Sequence, residues 1–233
     1  MRISEKMDAQ YLYQRHFYDF SRKYYLIGRD ALLSEIELQV DEVLLEIGCG
    51  TARNLCKLAY QYPYNRLYGV DASAAMLDVA RKNLHRRKRY TGNVQIMQGL
   101  AEDVTPDMIG RRQPFDHVLF SYVLSMLPDW RLALEVALCN LAPGGYIHVV
   151  DFSDMQKMPG SFRNMLLKWL NLFNVHPDPQ ILPWFRNVAS KHGGELQVRQ
   201  TAGNYAAILH YRKSPKSEEP VIKPAAIPRF ILK

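Results

Sequence analysis

The sequence predicts an α/β fold: a mostly parallel seven-stranded sheet closed by a C-terminal antiparallel hairpin. Three observations carry this. Residues 43–47 (VLLEI) form an apolar run that Gly48-Cys49-Gly50 breaks before a helix-compatible segment, the pattern of a buried strand, a tight turn and a helix start. Four further short strands alternate with helical segments through residue 151, with turn signals between them. Residues 195–201 and 205–212 then alternate in polarity around Ala202-Gly203-Asn204, which suits a hairpin.

Taken in order, residues 9–37 read as helical. Tyr11, Tyr13, Phe17, Tyr18, Phe20, Tyr24 and Tyr25 are interleaved there with Arg15, Arg22, Lys23 and Arg29. Such a segment either packs its aromatics on a sheet edge or closes as a lid over a ligand. The strand at 43–47 and the helix at 51–61 follow, and Pro63 stops that helix. RLYGVD (66–71) is the second strand and ends in an acid. Asp71 or Ser73 can cap the next helix, which carries Met76, Leu77, Val79 and Ala80. Residues 93–98 and 115–120 give the third and fourth strands, and a helix spans 129–141. Pro143-Gly144-Gly145 turns into the fifth strand at 146–151.

Residues 162–173 break the alternation. Phe162, Met165, Leu166, Trp169, Leu170 and Phe173 share one helical face, widened by Leu167 and Leu172. The helix either covers the sheet or lies in a bilayer interface. Pro177, Pro179 and Pro183 mark a loop before a helix at 184–192, which Gly193-Gly194 ends. The expected organisation is one domain over 1–212: a helical lid at 1–38, a core at 40–152, membrane-facing helices at 160–192 and the closing hairpin. Residues 213–233, with four prolines, read as a disordered tail.

Composition narrows the function. The chain has 233 residues, ordinary globular composition and a formal net charge of +7. No run approaches the roughly 20 apolar residues of a membrane span, and the first residues lack the apolar stretch of a secretory signal. The three cysteines have neither zinc nor disulfide spacing, so no metal is expected and a reducing cytoplasm fits. Much of the charge sits in residues 81–89. That run is either a solvated helix end, favoured by the helix dipole, or a surface for an anionic membrane or nucleic acid.

The glycine turn lets a ligand approach the backbone closely. Arg53 stands at the third glycine of a G-x-G-x-x-G dinucleotide signature, which argues against an NAD enzyme. Asp71 lies 25 residues after Glu46, about the spacing that places a carboxylate on two ribose hydroxyls in Rossmann-like folds.

The order E-I-G-C-G-T, V-D, F-D, L-A-P-G-G and a final hairpin resembles the Rossmann-like class I S-adenosylmethionine (SAM) methyltransferase fold over residues 40–212. Residues 14–30 (QRHFYDFSRKYYLIGRD) and 121–130 (SYVLSMLPDW) resemble bacterial betaine-lipid N-methyltransferases of the BtaB type. The resemblance implies SAM as cofactor, held by Glu46, Gly48, Gly50, Asp71, Ala72, Leu100, Ala101, Glu102 and Ser121. Many relatives have an aspartate where Leu100 stands; the Ala101 backbone and the Glu102 side chain are the substitutes here. It also implies up to three methylations of the amino group of diacylglyceryl-homoserine, giving diacylglyceryl-trimethylhomoserine. Tyr18, Tyr25, Ser121 and Tyr122 are the expected catalytic residues. Arg22, Lys23, Tyr24 and Arg29 are the expected headgroup contacts, since arginine matches a carboxylate and a tyrosine face holds a methylated cation. His148, inside an apolar strand, reads first as structural.

The expected partners are a lipid headgroup, reversible contact with an anionic membrane surface and the enzyme that makes diacylglyceryl-homoserine, with no nucleic acid. The expected location is cytoplasmic, peripheral at the inner membrane surface. The alternatives are a SAM methyltransferase acting on a soluble small molecule or on RNA, and a non-catalytic SAM-binding scaffold.

Overall fold

The computed structural model describes residues 26–215. Its centre is a seven-stranded sheet: β1 (Val43–Ile47), β2 (Arg66–Asp71), β3 (Val94–Gln98), β4 (Phe115–Ser121), β5 (Leu141–Phe152), β6 (Glu195–Gln200) and β7 (Ala206–Arg212). The order is β3-β2-β1-β4-β5-β7-β6. Strands β1 to β5 run parallel, while β7 is antiparallel to both β5 and β6. The expected sheet and closing hairpin are both present.

Among the described residues six α-helices cover the sheet: α1 (Arg29–Glu35), α2 (Arg53–Gln61), α3 (Ala74–Arg86), α4 (Trp130–Cys139), α5 (Gly160–Asn171) and α6 (Ile181–His192). Period-two burial divides the strands between two cores. Val43, Leu45 and Ile47 face α4 and α6 through Leu134 and Phe185. Leu44 faces the other way, into a core shared by Leu33 of α1, Leu55 of α2, Leu77 of α3 and Leu170 of α5. Each such leucine contributes about 1.5–3 kcal/mol when fully buried. β2 and β3 lie to one side of β1, and β4 and β5 to the other. The chain therefore reverses direction between β1 and β4, and a crevice opens beyond the carboxyl ends of those strands.

Local chemistry fixes several boundaries. Ser73 caps α3, its hydroxyl accepting from Met76 N, and Asp129 caps α4, accepting from Leu132 N. β5 starts at Leu141, earlier than expected, because Pro143-Gly144-Gly145 is an irregularity within the strand; the pairing with β4 shifts register there. α6 starts at Ile181 and takes Pro183 into its first turn, where a missing N–H costs no helical bond. Lys213 is not part of a loose tail. It is buried, and its Nζ donates to the carbonyls of Leu138 in the last turn of α4 and Leu141 at the start of β5. The expected tail beyond residue 215 and the lid residues before 26 lie outside the described residues.

The apolar stripe of α5 divides. Leu170 is buried, and Leu166, Trp169 and Phe173 pack on the core. Phe162, Met165 and Leu172 stay 49%, 60% and 69% exposed. No helix among the described residues is long and apolar enough to cross a membrane.

Candidate functional site

The loop after β1 turns on two glycines with positive φ, Gly48 at 70° and Gly50 at 52°. It is pinned to β2, with Gly48 N and Cys49 N both donating to Val70 O at 2.8 and 3.0 Å. A Cβ on Gly48 would stand 2.4 Å from Val123 Cγ2, so the loop nests against the segment after β4. Asp71 organises the far side. One of its carboxylate oxygens accepts from Gly50 N at 2.8 Å and the other from Ser73 N at 2.9 Å. These bonds fix the carboxylate at the end of β2.

A narrow cleft of about 60 Å³ lies between these parts, lined among others by Gly48, Gly50, Asp71, Ala72, Ala101 and Tyr122. Most of the residues expected around the cofactor are therefore brought together. Leu100 and Glu102 flank Ala101 at a single 3-10 turn, Ala101–Asp103. Ser121 ends β4, and its buried hydroxyl has no partner among the described residues. Tyr122 differs from expectation in where its hydroxyl goes. It donates to Ile27 O, while the ring packs edge-on against Phe152, centroids 4.8 Å apart. The side chain thus ties the segment before α1 to the sheet, and a phenylalanine here should cost about 1 kcal/mol of stability. If the tie is its main use, Tyr122→Phe keeps turnover and lowers only the urea midpoint; lost turnover with unchanged stability would restore the hydroxyl to chemistry.

Glu46 is buried beneath the loop. Its Oε1 accepts from Asn54 Nδ2 at 2.7 Å, and its Oε2 has no partner among the described residues. Burial pushes this carboxyl up to about 8. Asn54 was not anticipated from the sequence. The available signal was a polar residue on the buried face of α2, beside Leu55 and Leu58. Asp151, at the carboxyl end of β5, is likewise buried and pushed up to about 6, although Ser125 N and Phe152 N donate to it.

Arg29 does not line the glycine cleft, although its charge acts on Glu46 beneath the glycine loop. It lines a larger groove of about 930 Å³ together with Arg53, Lys57, Arg87, Tyr60 and Tyr90. Asp30 pairs with Arg53 at 2.8 Å and Lys57 at 2.7 Å on the wall of this groove. Arg87 belongs to the basic run at 81–89, which continues the groove at the end of α3. Tyr18, Arg22, Lys23, Tyr24 and Tyr25 lie outside the described residues.

His148 does not line the cleft. It sits in a buried row that crosses three strands. His117 Nε2 meets Glu42 Oε2 at 3.1 Å, and His117 Nδ1 meets His148 Nε2 at 2.9 Å. His148 Nδ1 meets His210 Nδ1 at 2.7 Å, and His210 Nε2 meets Glu35 Oε2 at 3.0 Å. Glu35 closes α1 and also pairs with Arg199, so the row fastens α1 to the sheet. Among the described residues no cluster of His, Cys, Asp and Glu could hold a metal ion.

The glycine cradle, the fixed Asp71 carboxylate and the unpartnered Glu46 and Ser121 oxygens fit a ligand with a ribose and a cationic centre. Residues 38–197 match a family described as a methyltransferase domain. The chain is 26% identical over 178 residues to a trans-aconitate 2-methyltransferase from Azoarcus sp. (strain BH72), covering 73% of this chain and 64% of that one. A protein of the same name from Methylobacterium radiotolerans is 30% identical over 51% of this chain and 41% of its own. A demethylmenaquinone methyltransferase from Listeria monocytogenes is 25% identical over 75% of this chain and 67% of its own. The chain thus spans less than two thirds of the first two relatives. These names differ from the betaine-lipid enzymes that the motifs at 14–30 and 121–130 resemble. Among solved structures, a SAM-dependent methyltransferase from Aquifex aeolicus shares the fold at a TM-score of 0.57 and 16% identity, over 82% of this chain and 93% of that one. An O-methyltransferase family protein from Burkholderia thailandensis does so at 0.63 and 17%, over 90% of this chain and 60% of that one.

Proposed function

This chain belongs to the class I SAM-dependent methyltransferases, and from that premise we propose that it methylates the amino group of a lipid headgroup, diacylglyceryl-homoserine, up to three times. The observation that carries the lipid reading is the surface of one sheet face. Helices α1, α2, α3 and α5 share a single core. On its outside they offer a basic, tyrosine-edged groove and the exposed Phe162, Met165 and Leu172. Cationic and apolar groups on one face suit reversible contact with an anionic bilayer. The resemblance at 121–130 supports the same reading.

SAM, when bound, supplies a methyl group on a sulfonium, already an excellent leaving group. The protein's task is then positioning and exclusion of water. Asp71 would hold the ribose, Gly48 and Gly50 would allow close approach of the methionyl part, and Ala72, Leu100, Ala101 and Glu102 would flank adenine. Ser121 would present its hydroxyl to the methionyl amino group. The acceptor amine must be neutral to attack and must shed a proton before each further round, which solvent can take. Arg29, with Arg22 and Lys23, would hold the homoserine carboxylate. Tyr24, Tyr18 and Tyr25 would enclose the growing ammonium.

A second reading has its own support. The groove lined by Arg29, Arg53, Lys57 and Arg87 also suits a soluble polycarboxylate, and the relatives from Azoarcus and Methylobacterium are named for trans-aconitate. Incubation with labelled SAM and either acceptor decides between them. Mass shifts of one, two and three methyl groups on the extracted lipid are expected. Label only in a water-soluble ester from trans-aconitate would replace the lipid reading, and label in neither would overturn both.

A further inference from the structure

Glu46 is the last acid before the glycine loop and is 1% exposed. Only one of its oxygens is satisfied, and by a neutral amide, Asn54 Nδ2 at 2.7 Å. The other has no partner among the described residues. An unpaired charge is costly inside a protein, and a carboxyl avoids that cost by keeping its proton. Among the described residues the charged and titratable neighbours that act on it are Arg29 of α1, Arg53 and the Cys56 thiol of α2, Asp71 at the end of β2 and the Cys49 thiol of the loop. Burial outweighs the lowering effects of the Asn54 bond, Arg29 and Arg53, and pushes the carboxyl up to about 8. A cation arriving within about 4–6 Å favours the ionised form. The glycine loop, whose first glycine is only two residues away, is where a sulfonium and an ammonium group would be held.

We propose that Glu46 is protonated in the cofactor-free protein and releases its proton when SAM binds, and that Asn54 positions the carboxyl for this exchange. The inference rests on the glycine cleft being the cofactor site. Only an O–H bond breaks: the proton passes to solvent, the electron pair stays on the carboxylate, and nothing is oxidised. The sign follows from linkage. SAM prefers the ionised carboxyl, so affinity rises with pH while the free carboxyl is still protonated, by at most about tenfold per pH unit. It levels off above the free-state value. Asn54 donates to the carboxyl and favours its charge, so losing that bond moves the plateau to higher pH.

The test is calorimetry of SAM binding to the full chain, without acceptor, in buffers of different ionisation heat. Release approaching one proton per SAM is expected at pH 6.5, where the α-amine of SAM is an ammonium both free and bound. Glu46→Gln should bind at that pH with no proton release. Asn54→Ala should bind more weakly, with its plateau shifted upward. SAM binding without proton release in the unmodified chain overturns this proposal alone and leaves the cofactor site standing. Absence of binding at every pH overturns the cofactor reading with it. The two-buffer measurement on the unmodified chain decides the matter even if a variant does not fold.

Discussion

Replacing Gly48 by alanine is expected to destabilise the protein by about 2–6 kcal/mol and to abolish measurable SAM binding. Two separate costs are involved. The backbone at Gly48 has φ of 70°, a region that costs a residue with a Cβ about 1–3 kcal/mol. The new Cβ would also stand 2.4 Å from Val123 Cγ2 and 2.9 Å from Val123 Cβ, and overpacking of this kind costs about 1–3 kcal/mol. The loop cannot yield towards β2, because Gly48 N and Cys49 N are bonded to Val70 O. It cannot yield towards α3 without breaking the bond from Gly50 N to Asp71. The second substitution Val123→Ala removes both γ-methyls and with them the 2.4 Å contact, so it should recover most of the steric part while leaving the 2.9 Å contact to Cβ and the φ cost. The double-mutant cycle, read by urea unfolding and by SAM calorimetry, should therefore show a coupling of about 1–3 kcal/mol. Strict additivity would mean that the contact with Val123 is not what the glycine serves.

That contact also marks the limit of what the sequence discloses. The glycine turn, the apolar run before it and Asp71 at the end of the next strand were legible because each is a local pattern over a few residues. Val123, which explains why position 48 tolerates no side chain, is 75 residues away in a different loop. No periodicity connects them. Asn54 was partly legible, as a polar residue on an otherwise apolar helix face. Its partner, Glu46, stands on β1, and the two meet only through the packing of α2 against that strand. The segment of α5 was legible as a stripe, yet the stripe alone could not say that Trp169 and Leu170 turn inward while Phe162, Met165 and Leu172 turn out. The direction of the Tyr122 hydroxyl depends on a left-handed backbone at Tyr122, with φ of 56°, that no neighbouring residue announces.

The histidine row was the least legible feature, and it predicts the second large effect. His117, His148 and His210 are 31 and 62 residues apart in successive pairs and meet only because of strand register. His148 pairs directly with His210 across β5 and β7. Substituting His148 by leucine leaves His117 Nδ1 and His210 Nδ1 without their partner in the interior. Each unsatisfied nitrogen costs about 1–3 kcal/mol, so a loss of about 2–6 kcal/mol is expected at pH 7.5.

The pH dependence supplies an independent sign. Burial holds His117 below the ordinary imidazole range in spite of Glu42. Burial, reinforced by His117 and His210, holds His148 well below it. Below about pH 6.5 the unfolded chain takes up protons that these folded rings refuse. Their contribution to stability is therefore present above that pH and is lost as pH falls towards the depressed folded values. The unmodified protein should lose stability on its acid side. His148→Leu removes one of the two refusing rings, so its acid limb should be shallower. The gap between variant and parent should accordingly be wider at pH 7.5 than at pH 5, as read from urea midpoints at the two pH values. A gap that stays constant would show that His148 acts through packing alone, with its buried neutral state carrying no linkage. A gap that widens at pH 5 would mean that the row is charged at this position in the folded protein. The fastening of α1 through Glu35 would then depend on that charge.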